Sequence, residues 1–405
     1  MKRDAFLEPR SDAWGRLPDG VDEVLPPDAW ALEQLRRRVL DLFDRWGYEY
    51  VMPPLIEYLD ALLVGSGSDL ELQTFRMVDQ RSGRMLGIRA DMTSQAARID
   101  ATSSARGGTR RICYAGTVVH ANPTGVYESR VPLLAGAELF GADGVEADAE
   151  VVALMVAVLA CAGIVEPVIE LGHVGVFRSF AEGDRLAGLE RALFEALQRK
   201  SEADIAALVA DTKLTRAQRD FLCLLPRQMG GIEVIAEARR HRGITRATET
   251  ALDQIEQLAS ALASRCPGLK LRFDLSELTG YGYHTGAVFT AYSADVGRSV
   301  ARGGRYDGVG AAFGAPRSAT GFDVNLKRLP RVTARRGAIW APALNGAPAT
   351  RRAKLAAAIE ALRGESERVV CAVVEREAPA AECDRELVWK KDGWHVQPRR
   401  QRENG

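Results

Sequence analysis

At 405 residues the chain is longer than one hydrophobic core sustains, so two or three domains are expected. Lys plus Arg and Asp plus Glu both number 54, which removes the cation excess a nucleic-acid binder uses against phosphate. The six cysteines (113, 161, 223, 266, 371 and 383) contain no C-x-x-C pair, so neither a zinc site nor a disulfide framework is indicated.

Scattered free thiols fit a reducing compartment. The leading MKRDAFLEPRSDAW lacks an apolar signal core, and the longest greasy run, 151–164, is too short to span a bilayer. A cytoplasmic protein with no membrane contact is the expectation.

In chain order, PDGVDEVLP (18–26) is turn-rich. Pro27 and Asp28 then introduce a helix over 29–46, where Leu32, Leu35, Val39, Leu42 and Phe43 recur on one face, and Gly47 stops it. YEYVMPPLIEY (48–58) has strand composition, but Pro53–Pro54 confines it to an edge, bulge or interface. Strands are expected at 75–77, 85–88 and 112–119, then a helix at 147–162 and a strand at 165–171. Residues 177–264 are helical almost throughout. Strand character returns at 269–275 and 287–292, followed by a glycine-rich turn at 303–310 and a strand-to-helix unit at 319–329. PRVTARRG (330–337) has linker composition. A short α/β segment follows: IWAPA, a helix over 349–362, the strand VVCAVV, then LVWKKDGWHV. No period of 20–50 residues repeats. The expected class is α+β. A core spans 1–330 with a helical insertion at about 177–264, and a small C-terminal α/β domain spans 338–405.

Many enzyme signatures are missing. The chain has no G-x-x-x-x-G-K-[ST], no G-x-G-x-x-G after a strand, no H-E-x-x-H and no G-x-S-x-G. Its five histidines (120, 173, 241, 284 and 395) are isolated from one another. No catalytic residue and no metal ligand is assigned.

Four segments stand out together: the 18–58 region, IRADMTSQAARI (88–99), CYAGTVVHANPTGVYESRVPLLAGAELFG (113–141), and the group GYGYHTGAVF (280–289), ARGGRYDGVG (301–310) and GFDVNLKRL (321–329). Their order and wording resemble histidyl-tRNA synthetase, a class II synthetase. They resemble still more closely its non-catalytic paralogues, the regulatory subunits of ATP phosphoribosyltransferase in histidine biosynthesis. The resemblance covers roughly 18–330 and implies a class II-type antiparallel sheet flanked by helices. It also implies a homodimer through motif 1, meaning the Ala29 helix and the Pro53–Pro54 strand. The implied partner is the short-form catalytic subunit, which the chain would activate and whose feedback inhibition by L-histidine it would mediate, with no cofactor.

The resemblance can be followed residue by residue. Where the synthetase has its motif 2 arginine, this chain has His120, and a neutral imidazole supplies no fixed bidentate cation to a phosphoryl group. The motif 2 acid falls on Asn122, a histidine-binding glutamine on Leu134, and the arginine before Gly280 on Thr279. Arg328 matches the motif 3 arginine, while Arg130 is assigned to the far side of the motif 2 loop. One cation left of three does not make an adenylation site.

The amino-acid half of the pocket is retained. Glu138 matches the acid for the substrate imidazole, Asp91 and Thr93 the grip on the α-amino group, and Tyr283 and Tyr306 supply aromatic walls. His284 stands where a tyrosine would be. The competing reading of Glu138 and Asp91 is a salt bridge in the core. Two rival functions stay open, an active histidyl-tRNA synthetase and a stand-alone histidine- or tRNA-sensing module. The short segment after the linker and the zero net charge make tRNA an unexpected ligand.

Overall fold

The structure is a computed structural model describing residues 16–64, 68–102, 107–122, 128–181, 185–186, 188–278, 280–314, 316–330, 337–344, 347–375, 377–380, 382–391 and 393–399. The N-terminal segment read for a signal, most of the 330–337 linker, Thr279 and the end of the basic tail lie outside these residues. The chain divides into two compact units, 1–332 and 333–405.

The first unit is built on a nine-stranded sheet. Its strands run Glu49–Tyr50, Arg110–Thr117, Leu133–Phe140, Ala319–Asn325, Arg298–Arg305, Ala287–Ser293, Val168–His173, Lys270–Asp274 and Met229–Gly230 across the sheet. The six from Arg110–Thr117 to Val168–His173 are antiparallel throughout. The expected antiparallel sheet needs one correction, because Glu49–Tyr50 pairs parallel with Arg110–Thr117, and Lys270–Asp274 parallel with Val168–His173. The sheet is mixed at its flanks and the class is α+β.

Helices cover one face. In Asp28–Arg45 the buried residues Leu32, Leu35, Val39, Leu42 and Phe43 keep the 3–4 spacing of a single stripe. Gly47, at φ 78°, ends it in the left-handed region that a side chain disfavours. Helix Val145–Cys161 is apolar almost all round because it is sandwiched, packing against both the sheet and helix Arg246–Arg265. Each large apolar side chain so buried contributes roughly 1.5–3 kcal/mol. Thr215 and Thr245 close capping boxes at the starts of Arg216–Leu224 and Arg246–Arg265, which fixes two of the helices between 177 and 264. That region is not purely helical: Met229–Gly230 adds an edge strand to the sheet.

A second correction concerns the glycines of ARGGRYDG. Gly303 and Gly304 are not in a turn but inside the strand Arg298–Arg305. A Cβ on Gly303 would meet Gly321 O at 2.2 Å, and one on Gly304 would meet the His284 ring at 2.7 Å. Close packing, rather than a turn, calls for glycine here.

Strands Ile56–Tyr58, Phe75–Val78 and Met85–Ile88 form a small separate antiparallel sheet. Pro53 and Pro54 fall between it and the edge strand Glu49–Tyr50, where no ladder hydrogen bond is needed from them.

The second unit has a four-stranded sheet in the order Val369–Cys371, Ala338–Ala341, Cys383–Lys390, Gly393–Pro398, covered by helix Ala349–Gly364. Ile339, Ala341, Leu355, Ile359 and Leu387 form its core.

Candidate functional site

One cleft opens on the face of the large sheet that the long helices leave uncovered. Antiparallel register decides what lines it, since directly paired residues share a face. One row across the strands reads Thr290, Arg302, Asp323, Gly136, Tyr114, and the next reads Val288, Gly304, Gly321, Glu138, Ile112. The cleft, about 410 Å³ counted out to open solvent, is lined by Thr93, Glu138, Tyr283, His284 and Tyr306, and by Arg302 and Asp323.

Glu138 sits at the bottom, 1% exposed. Its carboxylate accepts hydrogen bonds from Tyr114 Oη at 2.8 Å and Tyr306 Oη at 2.5 Å. Burial pushes its pKa up to about 8, against the lowering effect of the two tyrosine hydrogen bonds. Among the described residues neither Glu138 nor Asp91 enters a salt bridge, so the core-ion-pair reading finds no support. Asp91 Oδ1 instead accepts from the Thr93 amide at 3.1 Å and the Thr93 hydroxyl at 3.3 Å, at the start of helix Thr93–Thr102. Thr93 Oγ1 is also 3.3 Å from Tyr114 Oη, which links the loop to the pocket floor.

His284 is buried, with Nδ1 3.2 Å from the Arg305 carbonyl, and desolvation lowers its pKa to about 3, leaving a neutral ring. Tyr283 packs against it with tilted rings, centroids 4.1 Å apart, and faces Tyr306 edge-on at 6.5 Å. The loop carrying them is fastened from behind. Arg178 donates to the carbonyls of Tyr281 and His284, and Thr285 bonds Asp307 at 3.1 Å.

The residues that the resemblance sets against synthetase motif positions make structural contacts here. His120 Nε2 lies 3.0 Å from the Ala90 carbonyl, its Nδ1 is buried without a partner, and desolvation lowers its pKa. Asn122 donates to the Leu72 carbonyl at 2.9 Å. Leu134 is buried in an apolar cluster with Met92, Tyr114 and Tyr306. Arg328 ion-pairs with Glu128, which also holds Arg298 at 3.0 Å. Arg130 is bound to the carbonyls of Asp19 and His120.

Sequence reasoning missed Tyr114, Arg302 and Asp323. Alternation along GFDVN places Gly321 and Asp323 on one face, but only the register shows that Arg302 and Glu138 share it. Away from the cleft, Glu170, Asp274 and Glu277 bring carboxylate oxygens within 4.8 Å of one another, and the Lys200 ammonium lies 2.5 Å from Asp274. That ammonium supplies the local counter-charge.

This arrangement, a mixed sheet with long helices on one face and a polar cleft on the other, defines a protein of the histidyl-tRNA-synthetase-like fold. The Histidyl-tRNA synthetase family matches residues 20–329, and the ATP phosphoribosyltransferase subunit HisZ C-terminal domain matches residues 336–397. The ATP phosphoribosyltransferase regulatory subunit of Pseudomonas aeruginosa is 45% identical over 397 residues, covering 96% of this chain and 98% of its own. That of Alkalilimnicola ehrlichii is 48% identical, covering 94% and 96%. This chain belongs to the ATP phosphoribosyltransferase regulatory subunit family.

Among solved structures, an ATP phosphoribosyltransferase regulatory subunit/histidyl-tRNA synthetase from Bacillus halodurans C superposes with TM-score 0.76 at 29% identity, covering 91% of this chain and 93% of that one. Histidyl-tRNA synthetase from Nostoc sp. PCC 7120, at 15% identity and TM-score 0.70, shares the fold.

Proposed function

We propose that this chain regulates the first step of histidine biosynthesis without catalysing a reaction itself. It binds the short-form ATP phosphoribosyltransferase catalytic subunit, raises its turnover, and conveys inhibition by L-histidine held in the cleft. The observation that carries the reading is the split fate of the site. Glu138 keeps two tyrosine partners and a built pocket, whereas the phosphate-facing positions hold a neutral His120 and an Arg328 occupied by Glu128. Adenylate formation needs preorganised positive charge, and a pocket that binds an amino acid without it can act only by biasing another protein. Linkage then makes histidine and partner binding mutually dependent.

A dimer is supported by the apolar side chains left uncovered in the first unit. Leu25, Tyr50, Met52, Leu55 and Ile56 are all exposed, Met52 by 79%. Such a concentration in one stretch marks an interface. No helix among the described residues is long and apolar enough to cross a membrane.

Steady-state kinetics on the catalytic subunit, with and without this chain and with and without histidine, test the proposal. A rise in turnover on adding the chain, depressed by histidine, is expected. Unchanged rate and unchanged histidine sensitivity, in proteins that fail to co-elute, would sink it.

A further inference from the structure

A pocket for an amino acid needs a counter-charge for its carboxylate, and the position the synthetase uses for this is His120, which is neutral here. Arg298 is engaged by Glu128, Arg130 by the carbonyls of Asp19 and His120, and Arg178 by the carbonyls of Tyr281 and His284, while Arg328 is paired with Glu128 through Nη2 and its Nε is buried without a partner. We propose that Arg302 is the carboxylate anchor of this pocket, binding the α-carboxylate of the amino acid whose imidazole reaches Glu138. The inference rests on the histidine reading given above and assigns a residue that this reading leaves open.

The sheet register puts Arg302 there. Of the two arginines in ARGGRYDG, alternation sends them to opposite faces. Arg305 turns away from the cleft into a buried network with Asp148 at 2.9 Å, Asp307 at 3.3 Å and the Gly144 carbonyl at 2.9 Å. Arg302 faces the cleft and lines it. It is paired in register with Thr290 on one side and Asp323 on the other. Gly303 and Gly304 follow it, and neither could carry a Cβ without striking the backbone or a neighbouring ring.

The guanidinium is held but not used up. Its Nε lies 3.9 Å from Asp323 Oδ2, and it donates no hydrogen bond among the described residues. Its side chain keeps 63% of its solvent contact while projecting into the cleft. The nearby Asp323 carboxylate adds most to the stability of its positive charge, and Tyr283, Asp91 and Glu128 act in the same direction, against desolvation. A planar fork with open donors, oriented by one acid at its edge, suits bidentate capture of a carboxylate.

Spacing agrees. Glu138 shares a row with Gly304, two residues from Arg302 and two strands away. Strands lie about 4.8 Å apart and alternate residues about 6.8 Å along a strand, so the two Cα atoms are roughly 12 Å apart. Once both side chains reach inward, one small amino acid fills the gap. Its ammonium then lies toward Asp91 and Asp323, two acids close enough that Asp91 helps to raise the Asp323 pKa to about 6, after burial as the main cause. A cation between them relieves that repulsion.

Calorimetry on the full chain with two probes tests the assignment: L-histidine, and L-histidinol, which keeps the imidazole and ammonium but has an alcohol in place of the carboxylate. Wild type should bind L-histidine about ten- to a hundredfold more tightly than L-histidinol, the range for a hydrogen-bonded charge. Arg302→Gln should erase most of that preference by weakening L-histidine alone, and Arg302→Lys should restore part of it. Equal wild-type affinity for the two probes would overturn the assignment even if the variants did not fold. Unchanged L-histidine affinity in Arg302→Gln, with Glu138→Ala still abolishing it, would remove Arg302 and leave the histidine pocket standing. Failure of wild type to bind L-histidine at all would remove the pocket reading and the anchor with it.

Discussion

Gly321 lies directly under the carboxylate of Glu138: a Cβ added to it would come within 1.5 Å of Oε2, with the Ala137 carbonyl oxygen 2.9 Å away. The acid can lie flat across the neighbouring strand, where Tyr114 and Tyr306 reach it, only because that strand has no side chain at this point. Gly136 serves Tyr114 in the same way, since a Cβ there would fall 2.6 Å from the tyrosine ring. The pocket floor is thus carved from missing side chains on two adjacent strands.

Gly321→Ala should therefore displace the Glu138 carboxyl rather than merely crowd it. Overpacking a buried site costs about 1–3 kcal/mol, and the melting temperature should fall accordingly. L-Histidine binding should be lost with it. Thermal melts and calorimetry on the same preparation check both parts, and a variant that binds histidine like wild type would show that Glu138 is not the contact.

Glu138 also predicts a pH signature. Its folded pKa of about 8 stands above the ordinary glutamate value of 4.5 because burial disfavours the charge. Over the window from about 4.5 to 8 the folded state holds a proton that the unfolded state has released, so this group's contribution falls as pH rises and is flat above it. Glu138→Gln, which carries no such charge, should gain stability relative to wild type as pH is raised through that window. Urea midpoints at pH 4, 7 and 9 measure the gap (the chosen values bracket the window). A constant gap would contradict the raised pKa. Glu138→Ala, by contrast, should weaken L-histidine by on the order of 1–3 kcal/mol, because the bound imidazole loses its partner.

Legibility in the sequence tracked the range of the interaction. The stripe Leu32, Leu35, Val39, Leu42 and Phe43 is a local repeat, and it read correctly as one helix face. The twin glycines at 303 and 304 misled, because a tight turn and a close-packed strand ask for the same residue. Their true reason is Gly321 O on one side and the His284 ring on the other, neither of which is a sequence neighbour. The pairing of Arg328 with Glu128 joins residues 200 apart in the chain. Arg302 was passed over for the same reason: its role depends on sheet register, which alternation within one strand cannot reveal. Glu138, Asp91 and Thr93 were named through resemblance, and the structure places them with Tyr283, His284 and Tyr306 around or beside one cleft.

Chemical silence is the next expectation. Purified chain should give no histidine-dependent ATP–pyrophosphate exchange and should not charge tRNA-His. His120→Arg alone should not restore exchange, since Arg328 remains bound to Glu128 and position 279 is threonine. Exchange above background in wild type would contradict the regulatory reading directly. Exchange in His120→Arg would show that the remaining cations suffice.

Arg305 belongs to the scaffold, not to the ligand. It is buried and joins Asp148, Asp307 and the carbonyls of Ala142 and Gly144. Truncating one member of a buried ion-pair network costs about 3–5 kcal/mol because the other charges lose their partner. Arg305→Ala should unfold at markedly lower urea than wild type, whereas Arg302→Gln should not. Similar losses in the two variants would mean that the two faces of this strand had been assigned wrongly.

The proposed dimer should be breakable at one side chain. Met52 follows the edge strand Glu49–Tyr50, is 79% exposed, and lies between Tyr50 at 40% and Leu55 at 45%. A methionine so placed costs nothing to the isolated fold when replaced, because it packs against little of its own chain. If this stretch joins two copies, the same residue becomes central to a buried apolar patch, and a carboxylate there is desolvated without a partner. Met52→Asp should leave the melting curve of the dilute monomer close to wild type and shift sedimentation equilibrium from dimer to monomer at micromolar concentration. It should also weaken assembly with the catalytic subunit, if that assembly is built on the dimer. A variant that sediments as a dimer would place the interface elsewhere, and a wild type that sediments as a monomer would remove the dimer altogether.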